Sequence, residues 1–187
     1  MAKATNALTQ GISGKVAGLV FRRNRDGSIA IGNAPRTSTK PLSAAQQQTR
    51  DKFTQGANFA REVTKDPALK AEYEARIDEN TPSAYSAAIQ DALQGPVIHD
   101  VDFSAYTGQV GDKIRIIATD NHAVRRVHVR ILNPDASLVE EGDAVQQGSG
   151  VEWLYIATAA NASLPGDEIH VSAYDRPGNQ ALTKETI

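Results

Sequence analysis

The stretch Val124-Arg-Arg-Val-His-Val-Arg-Ile-Leu132 decides the fold of the second half of this chain of 187 residues. Its valines and isoleucine alternate with histidine and arginine, and a period of two predicts a strand with one buried face. The same alternation runs through Lys113–Thr119 and Glu168–Tyr174. Together these segments predict a sheet with isoleucine, valine and alanine on its inner side.

Segments of this kind recur after Pro96, separated by turns rich in glycine, proline, aspartate and asparagine. Seven short strands in about 90 residues are typical of an antiparallel β-sandwich. Trp153, or its alternate neighbours Leu154 and Ile156, is expected to close the core. The seven predicted strands are Val97–Ala105, Lys113–Thr119, Val124–Leu132, Ser137–Glu140, Val151–Ala157, Glu168–Tyr174 and Gln180–Thr186.

Two motifs in this half carry a family resemblance. They are Ile117-Ala-Thr-Asp-Asn-His-Ala-Val124 and Val171-Ser-Ala-Tyr-Asp-Arg-Pro-Gly-Asn179, which precedes the last predicted strand. Residues 96–187 therefore resemble bacterial immunoglobulin-like and fibronectin-III-like modules, which often carry A-x-D-x-x-G-N at that place. The resemblance implies a seven-stranded immunoglobulin-like sandwich and no particular function.

The first half begins with a predicted β-hairpin. Lys15–Arg22 and Ser28–Asn33 flank Arg25-Asp26-Gly27, and Asp-Gly between apolar segments is a strong hairpin signal. An isolated hairpin is marginally stable in water, so this one is expected to pack on helices or on another subunit. Residues 34–42 contain two prolines and are predicted to form an extended linker.

Three helices are predicted after the linker. The first runs from about Ala44 to Thr64, with Phe53, Ala57, Ala60 and Val63 on its buried face. Asp66-Pro67 and Thr81-Pro82 are predicted to begin the other two, because aspartate or threonine before proline is a helix start signal. The buried stripes are expected to be Leu69, Tyr73 and Ile77 in the second helix, and Tyr85, Ala88, Ile89 and Ala92 in the third.

The prediction is therefore an α+β chain with two domains. Residues 1–94 would form a basic hairpin-plus-helices assembly domain, and residues 95–187 the sandwich. The pattern Ser13-Gly-Lys-Val16, Leu19-Val-Phe-Arg22 and Leu42-Ser-Ala-Ala-Gln46 resembles short uncharacterised bacterial and phage-associated proteins. That resemblance implies no activity.

The charge is distributed unevenly along the chain. The total is −2, but residues 1–50 hold eight Lys/Arg and one acidic residue, which gives +7. Residues 51–94 carry −3 and residues 95–187 carry −6. Such polarity suggests either a basic interaction arm or head-to-tail self-association.

Several classes of chemistry have no basis in the sequence. The chain has no cysteine, which excludes disulfides, thiolate catalysis and Cys-based metal sites. It lacks G-x-S-x-G, Walker, G-x-G-x-x-G and H-E-x-x-H motifs, so we predict a protein that is not an enzyme and needs no cofactor.

Two metal sites are alternatives to ordinary surface roles. His128 and His170 are predicted on neighbouring strands, but Arg126 and Arg130 oppose a cation there, so we prefer surface histidines. Aspartates lie at the predicted turns and offer a Ca²⁺ site between loops, although aspartate is also the usual turn residue. These aspartates are Asp120, Asp135, Asp143, Asp167 and Asp175.

No membrane span or signal peptide is predicted. The longest apolar stretch near the start, Val16–Phe21, is six residues and contains a glycine, whereas a secretory segment needs roughly 7–15. We expect synthesis in the cytoplasm, and any role outside the cell would require a dedicated machine or cell lysis.

The predicted function is that of a structural protein that self-assembles into a filament, tube or phage-like particle, with the sandwich as a projecting spacer or adhesive module. Its partners would be copies of itself, other particle subunits or a cell-surface ligand. The alternative is a binding module, in which the sandwich recognises a surface ligand or the basic arm binds nucleic acid through its arginines. The predicted assembly interface comprises Val16, Leu19, Phe21, Arg22, Arg23, Arg25, Ile29 and Ile31.

Overall fold

In the computed structural model, which describes residues 2–4, 11–35, 40–148 and 150–187, the chain forms two units. The first is Met1–Ser43 and the second is Ala44–Ile187. The helices and the sandwich belong to the same unit, whereas the predicted domains divide between residues 94 and 95. The division into an assembly domain of residues 1–94 and a sandwich domain of residues 95–187 stays a prediction.

The first unit is a four-stranded antiparallel sheet in the order β1-β4-β3-β2. The predicted hairpin at Asp26-Gly27 joins β3 to β4, and Gly27 takes a φ of 79° that favours glycine. The turn is closed by the Asn24 N–H, which donates to the Ser28 carbonyl at 2.8 Å. The strands are β1 (Ala2–Ala4), β2 (Gly14–Val16), β3 (Leu19–Arg23) and β4 (Ile29–Asn33).

One predicted strand of this unit is two strands. Lys15–Arg22 is interrupted at Ala17 and Gly18, whose φ values are 46° and 82°. Two consecutive residues with positive φ are characteristic of the two-residue turns that join hairpin strands. β2 and β3 therefore form a second hairpin that the apolar composition of the stretch had concealed.

The second unit begins with helices α1 (Ala44–Lys65), α2 (Pro67–Glu74) and α3 (Ala84–Leu93). Asp66 caps α2 as predicted, accepting hydrogen bonds from the backbone of Ala68 at 2.8 Å and Leu69 at 3.3 Å. The start of α3 is later than predicted, because Ser83 is its N-cap and forms a capping box with Ser86.

The buried helical faces differ in part from the prediction. α1 buries Gly56, Ala57, Ala60 and Val63, but Phe53 is 52% exposed. α2 buries Tyr73 completely, and Ile77 lies beyond its end and is exposed. α3 buries Ala84, Ala87, Ala88 and Asp91, a face one residue away from the predicted one. The rotation places an aspartate, rather than Ala92, on the buried side.

The rest of the second unit is an antiparallel β-sandwich of two four-stranded sheets, in the orders β5-β6-β10-β9 and β12-β11-β7-β8. The two-residue strand β9 was not predicted, because two residues are too few to show an alternating pattern. The predicted count of seven strands is therefore not confirmed. The strands are β5 (Val97–Asp102), β6 (Lys113–Thr119), β7 (Arg126–Leu132), β8 (Leu138–Asp143), β9 (Val145–Gln146), β10 (Glu152–Ile156), β11 (Glu168–Tyr174) and β12 (Gln180–Thr186).

The predicted inward faces of β6, β7 and β11 form the core between the two sheets. Trp153 is 5% exposed and closes this core, whereas Leu154 is half-buried and Ile156 is exposed. Burial of each large apolar side chain contributes about 1.5–3 kcal/mol. The core includes Ile114, Ile116, Ala118, Val127, Val129, Ile131, Ile169, Val171 and Ala173.

Candidate functional site

The register of the first sheet places the apolar residues of the predicted assembly interface on one face. Val16 lies opposite Leu19, and Phe21 lies opposite Ile31. Ile29 belongs to the same face, because side chains two residues apart along a strand point the same way. Arg23 is the cation of this face, since its strand partner is Ile29.

The exposure of this apolar face increases toward β2. Val16 is 57% exposed and Leu19 is 38% exposed, whereas Ile29 is only 1% exposed. Phe21 and Ile31, which lie between these extremes, are half-buried. The part of the face that is open to another molecule is therefore the β2–β3 hairpin, and Ile29 belongs to the packed end.

The opposite face of the same sheet is basic. Arg22 pairs with Ala30 and Lys15 pairs with Val20 across the strands. A groove of about 410 Å³ lies on this side and is lined by Val20, Arg22, Ala30, Gly32, Asn33 and Pro35. Arg25 lies in the β3–β4 turn. The three arginines predicted to act together therefore occupy two faces and a turn, rather than one patch.

A second cluster of functional side chains joins α3 to the sandwich. Asp91 lies near the end of α3, Asp120 directly follows β6, and Asp175 directly follows β11. One carboxylate oxygen from each aspartate lies within 4.8 Å of the other two. Asp91 is 1% exposed and Asp175 is 5% exposed, so these carboxylates are largely shielded from water.

Two of these aspartates also organise the turns that hold them. Asp120 accepts hydrogen bonds from the backbone of His122 at 3.1 Å and Ala123 at 3.0 Å. Asp175 accepts from the backbone of Gly178 at 2.8 Å and Asn179 at 2.6 Å. Such bonds are the usual turn chemistry of aspartate. They bring both carboxylates to the end of α3.

The side chain of Asn179 ties the same turn to the helix. Its amide nitrogen lies 3.3–3.4 Å from the carbonyl oxygens of Asp91, Ala92 and Gln94. Those carbonyls lie at the end of α3, where few backbone donors remain; the Asp91 carbonyl also accepts from the Gln94 N–H at 3.3 Å. The β11–β12 turn therefore caps α3 from outside.

Among the residues that the structure describes, one side chain donates a hydrogen bond to Asp91. The Tyr73 hydroxyl donates to Asp91 Oδ2 at 2.5 Å, while Asp91 Oδ1 and Asp120 Oδ1 are buried without a partner. Burial, together with the charges of Asp120 and Asp175, raises the pKa of Asp91 to about 6. Burial also raises the pKa of Asp175.

The arginines near this cluster are occupied by Glu72 on α2. Arg125 and Arg176 both pair with the Glu72 carboxylate, the latter at 2.8 Å. The Arg176 Nε is buried and has no hydrogen-bond partner. Arg76 donates to the backbone carbonyl of His122 at 2.6 Å. Within the ranges that the structure describes, the ion pairs of basic side chains do not include the three clustered aspartates.

His122 completes the contact between α2 and the sandwich. Its ring stacks on Tyr73 with a centroid distance of 4.3 Å. Burial lowers the pKa of His122, which favours the neutral ring at neutral pH. Its Nε2 lies 3.0 Å from Glu72 Oε1, and the neutral tautomer with hydrogen on Nε2 donates to that carboxylate.

Sequence reasoning found two members of the aspartate cluster and missed the third. Asp120 and Asp175 were among the turn aspartates considered for Ca²⁺, but the structure places the others elsewhere. Asp135 accepts from Ser137, Asp143 pairs with Arg126, and Asp167 accepts from Asn161. Asp91 was missed because α3 was assigned the wrong buried face.

The histidine pair considered from sequence is not a single site. His128 lies across from Ser172, and His170 lies across from Arg130. Each ring contacts its own carboxylate: His128 lies 2.7 Å from Asp143 and His170 lies 2.6 Å from Glu168. The two histidines therefore make separate contacts on the outer face of the sheet.

Comparisons with known proteins give a likeness in structure only. Neither the family models nor the curated proteins include a match to this sequence. CopC from Methylosinus trichosporium OB3b is 17% identical with a TM-score of 0.35, over 48% of this chain and 87% of CopC. An engineered protein is 14% identical with a TM-score of 0.34, over 48% of this chain and 19% of that one. Likenesses at these TM-scores carry no argument about function.

None of the helices in the described ranges combines the length and the apolar character that a membrane span needs.

Proposed function

We propose that this chain is a non-enzymatic structural protein that assembles with copies of itself through the sheet of its first unit. The observation that carries the proposal is the exposed apolar hairpin formed by β2 and β3, with Val16 and Leu19 at its surface. Exposed apolar side chains that adjoin one another on a sheet are characteristic of interaction surfaces. The product would be a filament, tube or phage-like particle.

The edge of the sheet supports strand addition. β2 is the last strand in the order β1-β4-β3-β2, and all three of its residues are exposed. An edge strand presents unpaired backbone N–H and C=O groups on its outer side. A strand from a second copy would satisfy these groups and cover Val16 at the same time.

Charge supports a second copy of this chain as the occupant. The first unit, residues 1–43, holds seven Lys/Arg and one Asp, which gives +6, and the second unit, residues 44–187, carries −8. Units of opposite charge within each copy favour contact between the first unit of one copy and the second unit of the next. Such a head-to-tail contact does not close on itself unless the rotation forms a ring, so it produces a fibre or a tube.

We further propose that the sandwich is an immunoglobulin-like module that projects from the assembly as a spacer or adhesive domain. Its sheet orders, β5-β6-β10-β9 and β12-β11-β7-β8, support this assignment. They correspond to the A-B-E-D and G-F-C arrangement of immunoglobulin domains with one further strand beside β7.

The test of assembly uses a charged substitution on the exposed hairpin. We expect the full-length protein to form large particles in low salt, detected by light scattering and electron microscopy, and to lose them in high salt. The double substitution Val16→Asp and Leu19→Asp should reduce the mass to that of a monomer. Val110→Asp is the control for the added charge itself, because Val110 is 63% exposed and lies outside the β2–β3 hairpin, in a unit that is already acidic.

The alternative function is that of a binding module. Measurements on the same purified protein distinguish this alternative from self-assembly. If the wild-type protein stays monomeric at high concentration in low salt, the assembly proposal is wrong. A shift of DNA or RNA in a gel that Arg22→Glu and Arg23→Glu abolish would then favour nucleic-acid binding. Binding of an immobilised surface glycan or protein by the monomer would favour recognition by the sandwich.

A further inference from the structure

We propose that Asp91, Asp120 and Asp175 form a Ca²⁺ site that joins α3 to two turns of the sandwich. The inference does not depend on assembly, because all three residues belong to the second unit. One ligand comes from the helical layer, one from the β6–β7 turn and one from the β11–β12 turn. An ion bound there would cross-link segments that are distant in sequence.

The spacing of the three carboxylates fits one ion. One oxygen of each aspartate lies within 4.8 Å of the other two. Ca²⁺ binds oxygen at about 2.3–2.6 Å, so two ligands on opposite sides of the ion are about 5 Å apart. The carboxylates are therefore close enough to share one ion without a rearrangement of the turns.

The buried oxygens without partners point to a missing ligand. Asp91 is only 1% exposed, and its Oδ1 has no hydrogen-bond partner. The Oδ1 atom of Asp120 is also buried without a partner. A buried carboxylate oxygen without a donor or a cation is energetically costly. Glu140 and Asp167 also have one such oxygen, but among the described residues only the three aspartates bring their ligand atoms together.

The donor set selects a hard cation. All three ligands are carboxylate oxygens, whereas zinc and copper favour histidine or cysteine. Ca²⁺ accepts six to eight oxygens in flexible geometry, which suits an uneven site at a helix–turn junction. A groove of about 360 Å³ is lined by Asp120 together with Thr119, Gln146 and the cationic Arg76. Further oxygen ligands would be water that enters from this side of the site.

The experiment measures thermal stability of the full-length protein after chelation and dialysis. We expect added Ca²⁺ to raise the Tm by about 5 °C or more at a concentration of about 100 times the Kd. Calorimetric titration with Ca²⁺ should give one ion per chain. Mg²⁺ at the same concentration should give a smaller shift, because it needs stricter octahedral geometry and retains its water.

Three substitutions and one matched control locate the ion. Asp120→Asn and Asp175→Asn keep an oxygen that can accept the turn hydrogen bonds, and each should abolish the Ca²⁺-dependent shift. Asp91→Asn should abolish the shift and raise the Tm of the calcium-free protein, because it removes a buried charge. Asp135→Asn is the control, since Asp135 performs the same turn role for Ser137 in an exposed hairpin.

Two results would overturn the site. The first is a wild-type Tm that Ca²⁺ does not change in the millimolar range, which would leave a proton shared between Asp91 and Asp120 as the explanation. The second is a Ca²⁺-dependent shift that survives in Asp120→Asn and Asp175→Asn, which would place the ion elsewhere. If Asp120→Asn or Asp175→Asn does not fold, Asp91→Asn alone locates the ion, because its amide oxygen retains the acceptor for the Tyr73 hydroxyl.

Discussion

Buried acids of this protein are stabilised to very different degrees by their neighbours. Glu140 accepts four hydrogen bonds on one oxygen, from the Tyr155 hydroxyl and from groups of Thr158 and Ala159 at 2.7–3.2 Å. Asp91 accepts one, although it is the more deeply buried of the two. The contrast explains why Asp91, rather than Glu140, is the candidate for an added ligand.

Removal of the Tyr73 hydroxyl tests the hydrogen bond that it donates to Asp91. Tyr73→Phe keeps the ring stack on His122 but leaves Asp91 Oδ2 without a partner. We expect a loss of about 1–3 kcal/mol in the free energy of unfolding, the usual cost of such a buried acceptor. Urea denaturation of calcium-free protein measures it. Tyr85→Phe is the control, because Tyr85 is 36% exposed; equal losses in the two variants would contradict the assignment.

The Glu72 ion pairs predict a dependence on acid. Burial alone would raise the pKa of Glu72, but the hydrogen bond from His122 and the charges of Arg125 and Arg176 lower it below the usual 4.5. A carboxyl group whose pKa is lower in the folded state stabilises the fold above its unfolded pKa, and this contribution is lost as the pH falls through the folded value.

Glu72→Gln should therefore be less stable than the wild type at neutral pH, and the difference should narrow as the pH falls below about 4.5. Urea denaturation between pH 7 and pH 3 measures the difference at each pH. The pKa of Asp91 shifts in the opposite direction. Because Asp91 is present in both the wild type and Glu72→Gln, its effect largely cancels in the difference between their free energies of unfolding. A difference that stays constant over this range would show that Glu72 acts by packing alone.

Helices α1 and α3 approach closely because α1 has a glycine, Gly56, where it contacts α3. A Cβ atom added at Gly56 would meet Ala92 Cβ at 3.4 Å and the Ile89 carbonyl oxygen at 3.8 Å. One methyl group fits this space as an ordinary contact, but a longer side chain does not. The helices therefore depend on small residues at the contact rather than on large apolar ones.

Two substitutions at Gly56 should act in opposite directions. Gly56→Ala should be neutral or stabilising by up to about 1 kcal/mol, because alanine favours the helix and the added methyl fits. Gly56→Leu should destabilise by about 1–3 kcal/mol, because it overpacks the contact. Denaturant unfolding measures both, and a tolerated leucine would mean that α1 and α3 can separate at little cost.

The elements were predictable where the pattern was regular and local. The alternation in β6, β7 and β11 and the Asp66-Pro67 cap led to the observed strands and helix. The buried face of α3 was not predictable, because alanines occupy both of the candidate faces and only packing against α1 and α2 distinguishes them. The turn at Ala17-Gly18 was missed for a similar reason: no polar residue marks the break in an apolar stretch.

At the scale of the whole molecule, the helical layer and the sandwich depend on each other. Glu72 and Tyr73 of α2 contact His122, and Glu72 also binds Arg125 and Arg176. These contacts join residues that are distant in sequence, so the sequence pattern did not predict them. The aspartate cluster also joins segments that are distant in sequence, which is why the sequence placed Asp120 and Asp175 at separate turns and did not identify Asp91.

Two fragments test this dependence. Residues 44–187 should fold cooperatively and stay monomeric, because they form a unit with its own core and lack the β2–β3 hairpin. Residues 96–187 should have a lower Tm, because His122 and Arg176 lose their partners on α2. Calorimetry and light scattering compare the two, and equal Tm values would support a boundary at residues 94 and 95 instead.

The cap that Asn179 places on α3 has a consequence for synthesis on the ribosome. The bonded positions lie 85–88 residues apart, so α3 leaves the ribosome long before the turn that completes its end. During translation the end of α3 therefore lacks this partner until almost the whole sandwich has emerged. The second unit therefore acquires its final structure only after the β11–β12 turn has emerged, and a nascent chain stalled before Asn179 carries an α3 whose end is open to chaperones and proteases.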